Sequence, residues 1–154
     1  KIPNWCKLWI FPSSRKFYPQ EIEGLKEQIE DFLTNWTNEG QSLASSYQLK
    51  YDRFIIITVD NSEISLTLKA HDSLTTFILE LEKLYDIVLL DKINVCYKQG
   101  EFVQYKDLKE FKKMMKSKGV SKKTIVFDNM ITTKAELESD WEINIIDSWL
   151  GRLL

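Results

Sequence analysis

Apolar residues run without a break from Leu8 to Phe11 and stop at Pro12-Ser13-Ser14, the pattern of a short strand followed by a turn. Pro19 suits the first turn of a helix, where its missing N–H is harmless. Ile22, Leu25, Ile29, Phe32, Leu33 and Trp36 then recur at three- and four-residue spacing, which predicts one apolar stripe on a helix that ends near Gly40. Tyr47, Leu49 and Tyr51 alternate with Gln48 and Lys50, whereas Phe54 to Val59 is almost continuously apolar and β-branched. An edge-like strand therefore precedes a buried central one. The link Tyr51-Asp52-Arg53 reads either as a hairpin turn or as a bend within one long strand, and Asp60-Asn61-Ser62 closes the unit with turn residues.

From Glu63 to Lys69 the pattern fits a strand or a loop, since Ile64, Leu66 and Leu68 alternate. A second helix with the stripe Leu74, Phe77, Ile78, Leu81, Leu84 and Tyr85 is capped by Asp72 or Ser73. Ile93 to Tyr97 and Phe102 to Tyr105 flank Lys98-Gln99-Gly100-Glu101, a hairpin in which Gly100 can take a positive φ. Next comes a helix from Asp107 to Lys118, with an Asp107-to-Glu110 capping box and Gly119 as its stop, and then a strand at Thr124 to Phe127. Thr133-Lys134-Ala135-Glu136 is a second capping box, opening a short helix before Trp141.

The first 105 residues thus follow the order strand, helix, strand, strand, helix, strand. That order predicts an α+β fold with a ferredoxin-like antiparallel sheet over 1–105 and an α/β extension over 106–154 that covers its open face, all in one domain over 1–154. A length of 154 residues is enough to bury one core without disulfides or metal.

Composition narrows the chemistry. Cys6 and Cys96 form no CxxC and have no histidine beside them, which leaves neither a zinc nor a redox motif. No apolar run approaches the roughly 20 residues of a spanning helix, and the N-terminus lacks a signal-peptide pattern, so the expectation is a cytoplasmic protein with no membrane partner. No glycine opens a P-loop or a GxGxxG turn, no G-x-S-x-G or H-E-x-x-H is present, and no cofactor is implied. His71 beside Asp72 could serve as a base or sit in a loop beside a helix cap, and Asp60, Glu63 and Asp72 could converge near the end of the central strand as carboxylate ligands of a metal or could simply serve turns. The run Lys106 to Lys123 holds eight lysines against Asp107 and Glu110, a local net of +6 that leaves −8 on the rest, since the chain totals −2. It contains no arginine, the better bidentate partner for phosphate, which argues for a solvated helix face and against nucleic acid.

The three arginines of the chain define the last cluster. Arg15, Tyr51 and Arg53, taken with Asp147, Ser148, Trp149 and Arg152, read as a ligand pocket for an anion at one end of the sheet or as ion pairs that fasten the tail.

WIFPSSRKF, YDRFIIITVD, TIVFDNMITTKAELESDWE and DSWLGRLL resemble the recurring phrases of a functionally uncharacterised family of small Bacteroidetes proteins that usually carry the label ABC transporter ATPase. The resemblance covers nearly the whole chain and implies that Arg15, Tyr51, Arg53, Thr133, Lys134, Trp141, Asp147, Ser148, Trp149 and Arg152 occupy matching positions. The ATPase label finds no Walker A loop to rest on here. The order around the lysine-rich helix also resembles GYF-type modules, which bind proline-rich peptides on aromatic surfaces. The resulting expectation is a non-catalytic domain that binds a peptide, a protein or an anionic small molecule. The alternatives are a small enzyme that positions an anionic substrate with Arg53 and Arg152 and uses Asp60 or His71 as acid/base, and nucleic-acid binding through the lysine-rich helix.

Overall fold

The computed structural model describes residues 6–60 and 65–154. β1 (Lys7–Pro12) extends the apolar run by one residue at each end. α1 (Pro19–Asn35) opens with Pro19 in its first turn, and Glu21 reaches back to accept the Tyr18 N–H at 2.8 Å. Gly40 does not stop this helix. It pairs with Glu39 at φ 82° and 54° to turn a small hairpin, β2 (Thr37–Asn38) and β3 (Gln41–Ser42), after the helix has ended at Asn35.

β4 (Ser45–Lys50) and β5 (Phe54–Val59) form the hairpin alternative. Arg53 N–H donates to the Lys50 carbonyl at 3.0 Å, with Tyr51 and Asp52 both left-handed at φ 57° and 50°. Glycine normally occupies such positions, because an L side chain there costs roughly 1–2 kcal/mol. α2 (Leu68–Tyr85) starts a turn earlier than Asp72 or Ser73, with the Thr67 hydroxyl accepting the Ala70 N–H at 3.2 Å. The reason is Ala70, which lies four residues before Leu74 and extends the buried stripe by one turn. Asn61 to Ile64 lie outside the described residues, and no strand includes Ser65 to Thr67.

β6 (Val95–Gln99) and β7 (Phe102–Lys106) join through Gly100 at φ 65°. α3 (Leu108–Lys116) is capped by the Asp107 carboxylate, which accepts from Lys109 and Glu110 N–H at 2.8 and 3.4 Å, without the reciprocal Glu110 bond of a capping box. Its left-handed terminator is Lys118 at φ 62° rather than Gly119. The N–H groups of Lys118 and Gly119 close on the Met115 and Met114 carbonyls at 3.2 and 2.7 Å. β8 (Ile125–Phe127), α4 (Lys134–Ser139, with the Thr133/Glu136 capping box), β9 (Glu142–Asn144) and two 3-10 turns (Ile145–Asp147, Trp149–Leu153) complete the chain.

The result is a mixed α+β fold with several small antiparallel sheets, and the ferredoxin-like order is not found in it. One sheet stops at three strands, β1-β5-β4, while the strand expected to complete it, β6, lies inside a second sheet ordered β7-β6-β8-β9. Two observations explain the departure. The free edge of β1 is occupied by the segment before α4: Leu8 N–H donates to the Thr132 carbonyl and Lys134 N–H to the Cys6 carbonyl, at 2.9 and 3.0 Å. β6 itself is apolar on both faces, with Cys96 turned toward one cluster and Val95 and Tyr97 toward another, so it needs cover on two sides.

Four layers follow from the alternation. On β5 every residue is buried: Ile55, Ile57 and Val59 pack with Phe11 under α1 and α2, while Phe54 and Ile56 pack with Leu8 and Ile10 against Cys96, Phe127 and Trp141 of the second sheet's inner side. That sheet's outer face is covered by Phe111 and Met115 of α3 and by Ile145 and Leu150 of the C-terminal turns. Each fully buried aliphatic or aromatic side chain contributes roughly 1.5–3 kcal/mol by leaving water, and among the described strands β5 is buried along its whole length.

Candidate functional site

α1 and α2 bury their inner stripes on the sheet and leave a groove between their outer flanks. Phe32 of α1 and Phe77 of α2 stack face to face across it, with ring centroids 4.4 Å apart and planes 2° from parallel. Trp36, just past the end of α1, closes one end. Its indole N–H donates to the Ala70 carbonyl at 2.9 Å, and its ring lies 5.3 Å from Phe32. The β2–β3 hairpin forms the lip at that end, pinned by buried Asn38, which accepts from Thr67 N–H at 2.8 Å and donates to the Ser65 carbonyl at 3.1 Å. Two paired polar atoms on one buried carboxamide hold the hairpin to the cap of α2.

The groove encloses about 760 Å³, a size that suits a small ligand or a short peptide segment. A shallower depression of about 370 Å³ continues along α2 past Asp72 and Thr76. The floor is aromatic and aliphatic, with Leu84 60% exposed beside Leu81. The rim is acidic: Asp31, Glu39 and Glu80 stand against Lys69. Among the described residues no arginine, histidine or cysteine lines it, so these residues bind by burial and charge and offer no nucleophile of those types.

The arginine residues go elsewhere. Arg15 makes a bidentate pair with Glu21 at 2.9 and 3.1 Å, donates to the Tyr85 carbonyl at 2.8 Å and stacks over Tyr18, tying the β1–α1 loop to both helices. The Arg15 hydrogen bonds hold the Glu21 carboxyl below its ordinary range. Arg53 is half-buried, donates to the Ser13 carbonyl at 3.3 Å and lies near Cys96 and Tyr105, and its burial lowers the guanidinium's pKa. Ser13, fully buried, links the two: its N–H donates to the Arg53 carbonyl, and its hydroxyl accepts the Arg15 N–H. Tyr51 donates to Glu142 at 2.6 Å while Lys98 both pairs with Glu142 and sits over the Tyr51 ring.

The C-terminal members are separate. Ser148 caps the last turn, accepting the Leu150 N–H at 3.1 Å, and with Trp149 lines a crevice of about 20 Å³, room for little more than a water molecule. Among the described residues no hydrogen bond, ion pair or ring contact joins Asp147, Trp149 or Arg152 to Arg15, Tyr51 or Arg53. The members of the expected cluster thus lie in three separate places: Arg15 and Arg53 around Ser13, Tyr51 at Glu142, and Ser148 in the terminal turn.

The acid/base candidates also disperse. His71 lies in the first turn of α2, not in a loop, with its ring edge-on to Trp9 at 5.1 Å. Asp60 accepts from the Cys6 thiol at 3.5 Å, Asp72 is exposed on α2, and Glu63 lies outside the described residues. Burial pushes the Cys96 thiol up to about 12, with Arg53 and Asn129 pulling the other way, so at neutral pH it is an unreactive core group. Among the described residues no three histidine, cysteine or carboxylate side chains gather as a metal would need, and no helix is long and apolar enough to cross a membrane.

Comparison of the chain with models of protein families, with curated proteins and with solved structures finds no match in any of the three. The groove therefore rests on its own geometry. Its residues were visible in the sequence only as members of apolar stripes. Phe32, Trp36 and Phe77 look like core there, and nothing in their spacing says that two of them would meet across an open groove.

Proposed function

We propose that the chain is a non-catalytic binding domain whose site is the groove between α1 and α2, and whose ligand is a peptide with an aromatic or aliphatic side chain next to a cationic one. The observation that carries this reading is the stacked Phe32–Phe77 pair flooring a cavity of about 760 Å³ beneath an acidic rim. An apolar side chain laid on that pair leaves water, and a neighbouring lysine or arginine reaches Asp31 or Glu80. An anionic ligand, the other expectation, meets the wrong charge at this rim. The guanidinium groups of Arg15 and Arg53 already hold backbone and carboxylate oxygens.

Membership of the small Bacteroidetes family whose phrases the chain shares belongs to the same proposal. Several of those phrase positions have structural work here: Arg15 and Arg53 at Ser13, Trp141 in the inter-sheet core, and Thr133 as a cap. Shared architecture is reason enough for them to recur.

Titration calorimetry tests the binding reading with three otherwise identical short peptides: one carrying Phe-Lys at its centre, one Phe-Glu and one Ala-Lys. The Phe-Lys peptide is expected to bind at least about 10-fold more tightly than either control, a difference of about 1.4 kcal/mol. Asp31→Lys/Glu80→Lys is expected to remove that preference while leaving the melting temperature within about 2 °C. Equal binding of all three peptides, or a preference that survives the charge change, overturns the proposal.

A further inference from the structure

The two outer layers of the fold carry opposite charge. On the α1–α2 side Glu23, Glu27, Glu30, Asp31, Asp72 and Glu80 are exposed, against Lys26, Lys69 and Lys83. On the far side every lysine from Lys109 to Lys123 is exposed, within the stretch whose local net is +6. Among the described residues none of these side chains on either face forms an ion pair within the chain. Two sheets separate the faces, and stacked sheets lie about 10 Å apart before the helices are added. That distance exceeds the screening length of about 8 Å at physiological salt, so neither face neutralises the other inside one molecule.

The charge also has an apolar counterpart on each side. Val103 packs between the sheets, so Phe102, its neighbour on β7, points by alternation to the α3 side and is 66% exposed. The acidic face contains the aromatic-floored groove.

We infer that the lysine-rich α3 face of one copy docks on the acidic α1–α2 face of another, head to tail. The contact joins two different patches on opposite sides of the molecule, so it is heterologous and extends as an open stack instead of closing as a symmetric dimer. It is an interaction of charged rims and is therefore weak and sensitive to salt. The inference rests on the distribution of charge and shares Asp31 and Glu80 with the proposed peptide site, so a bound peptide competes with the contact; the two readings are told apart by the α3 lysines, which the peptide does not touch.

Sedimentation velocity on the full chain, at about 10 mM and about 150 mM NaCl, tests it across the range in which the screening length falls from about 30 to about 8 Å. The native protein is expected to show a concentration-dependent rise in mean mass at low salt that falls at least about 10-fold in association constant at the higher salt. Two exposed triple variants supply the decisive comparison: Lys112→Glu/Lys113→Glu/Lys116→Glu, and Glu27→Lys/Asp31→Lys/Glu80→Lys, each checked for native circular dichroism. Each alone is expected to remain monomeric, and their equimolar mixture is expected to recover a species of at least twice the monomer mass, since one keeps the acidic face and the other the basic, and the two reversed faces are themselves of opposite charge. A native protein that stays monomeric at low salt overturns the inference, as does a mixture that recovers nothing. Retention of a monomeric native protein on heparin, lost in the lysine variant, would overturn it as well and assign the α3 face to a polyanion.

Discussion

Trp141→Phe isolates one buried hydrogen bond at the centre of the inter-sheet layer. Trp141 and Asn129 are each 3% exposed, and the indole N–H donates to the Asn129 carboxamide oxygen at 2.9 Å. The Asn129 amide in turn makes a weak, long contact to the Cys96 sulfur at 3.7 Å. Phenylalanine keeps the ring contacts that Trp141 makes with Phe54 and Phe127, at centroid distances of 4.9 and 5.0 Å, but carries no donor. The Asn129 oxygen is then buried without its indole partner, at a cost of about 1–3 kcal/mol, and the smaller ring leaves a void that adds about 1 kcal/mol. The expected total is about 2–4 kcal/mol, read as a lower urea midpoint with an unchanged slope. Asn129→Leu removes the orphaned group, so the double variant is expected to be at least about 1 kcal/mol more stable than the sum of the two single losses. A Trp141→Phe loss under about 0.5 kcal/mol, or strict additivity in the cycle, would refute the reasoning.

Three further outcomes follow from particular contacts. Gly151→Ala places a Cβ 2.3 Å from the Ile146 carbonyl oxygen, so it is expected to cost about 1–3 kcal/mol and to expose the terminal turn to limited proteolysis. Asp52→Gly relieves a left-handed residue at φ 50° whose backbone carbonyl still accepts the Phe17 N–H, and the melting temperature should rise by about 2–4 °C, as about 1 kcal/mol of relief implies. The Glu21 carboxyl is depressed chiefly by its hydrogen bonds from Arg15, so its contribution is complete above the unfolded value of about 4.3 and disappears as the pH falls through the lower folded value. Glu21→Gln should therefore lower the urea midpoint at neutral pH, by less than about 1 kcal/mol, and match the native protein in strong acid.

Period and punctuation in the chain were enough to locate β1, α1, β5, α3 and α4, because their signals are local. These are a Pro in a first turn, a Thr133-to-Glu136 box, and a nearly continuous apolar, β-branched run from Phe54 to Val59 whose six residues are all buried. Local signals did not reach Thr67: they set the cap of α2 at Asp72 or Ser73, whereas burial of Ala70 starts the helix a turn earlier, and alanine fits a stripe but does not announce one. The hairpin at Tyr51 and Asp52 could not be settled from sequence, because two L residues there depart from the glycine chemistry such turns prefer.

What no periodicity could supply was which strand pairs with which. The run from Val95 to Tyr97 has the composition of a buried strand wherever it lies. It left the first sheet only because the chain before α4 took the β1 edge and because α3 gave β6 a second cover. Candidate site residues shared that fate. Scarcity marked Arg15, Arg53 and Arg152 as special, but the bonding of the first two at Ser13 and Glu21 is a tertiary outcome that scarcity does not specify. The groove shows the converse: Phe32 and Phe77 are 45 positions apart, and only the docking of two helices on one sheet brings their rings into contact. Sequence determines which faces must be buried, since that depends on neighbours three and four residues away. Which buried faces meet, and which gaps stay open between them, depends on contacts across the whole chain.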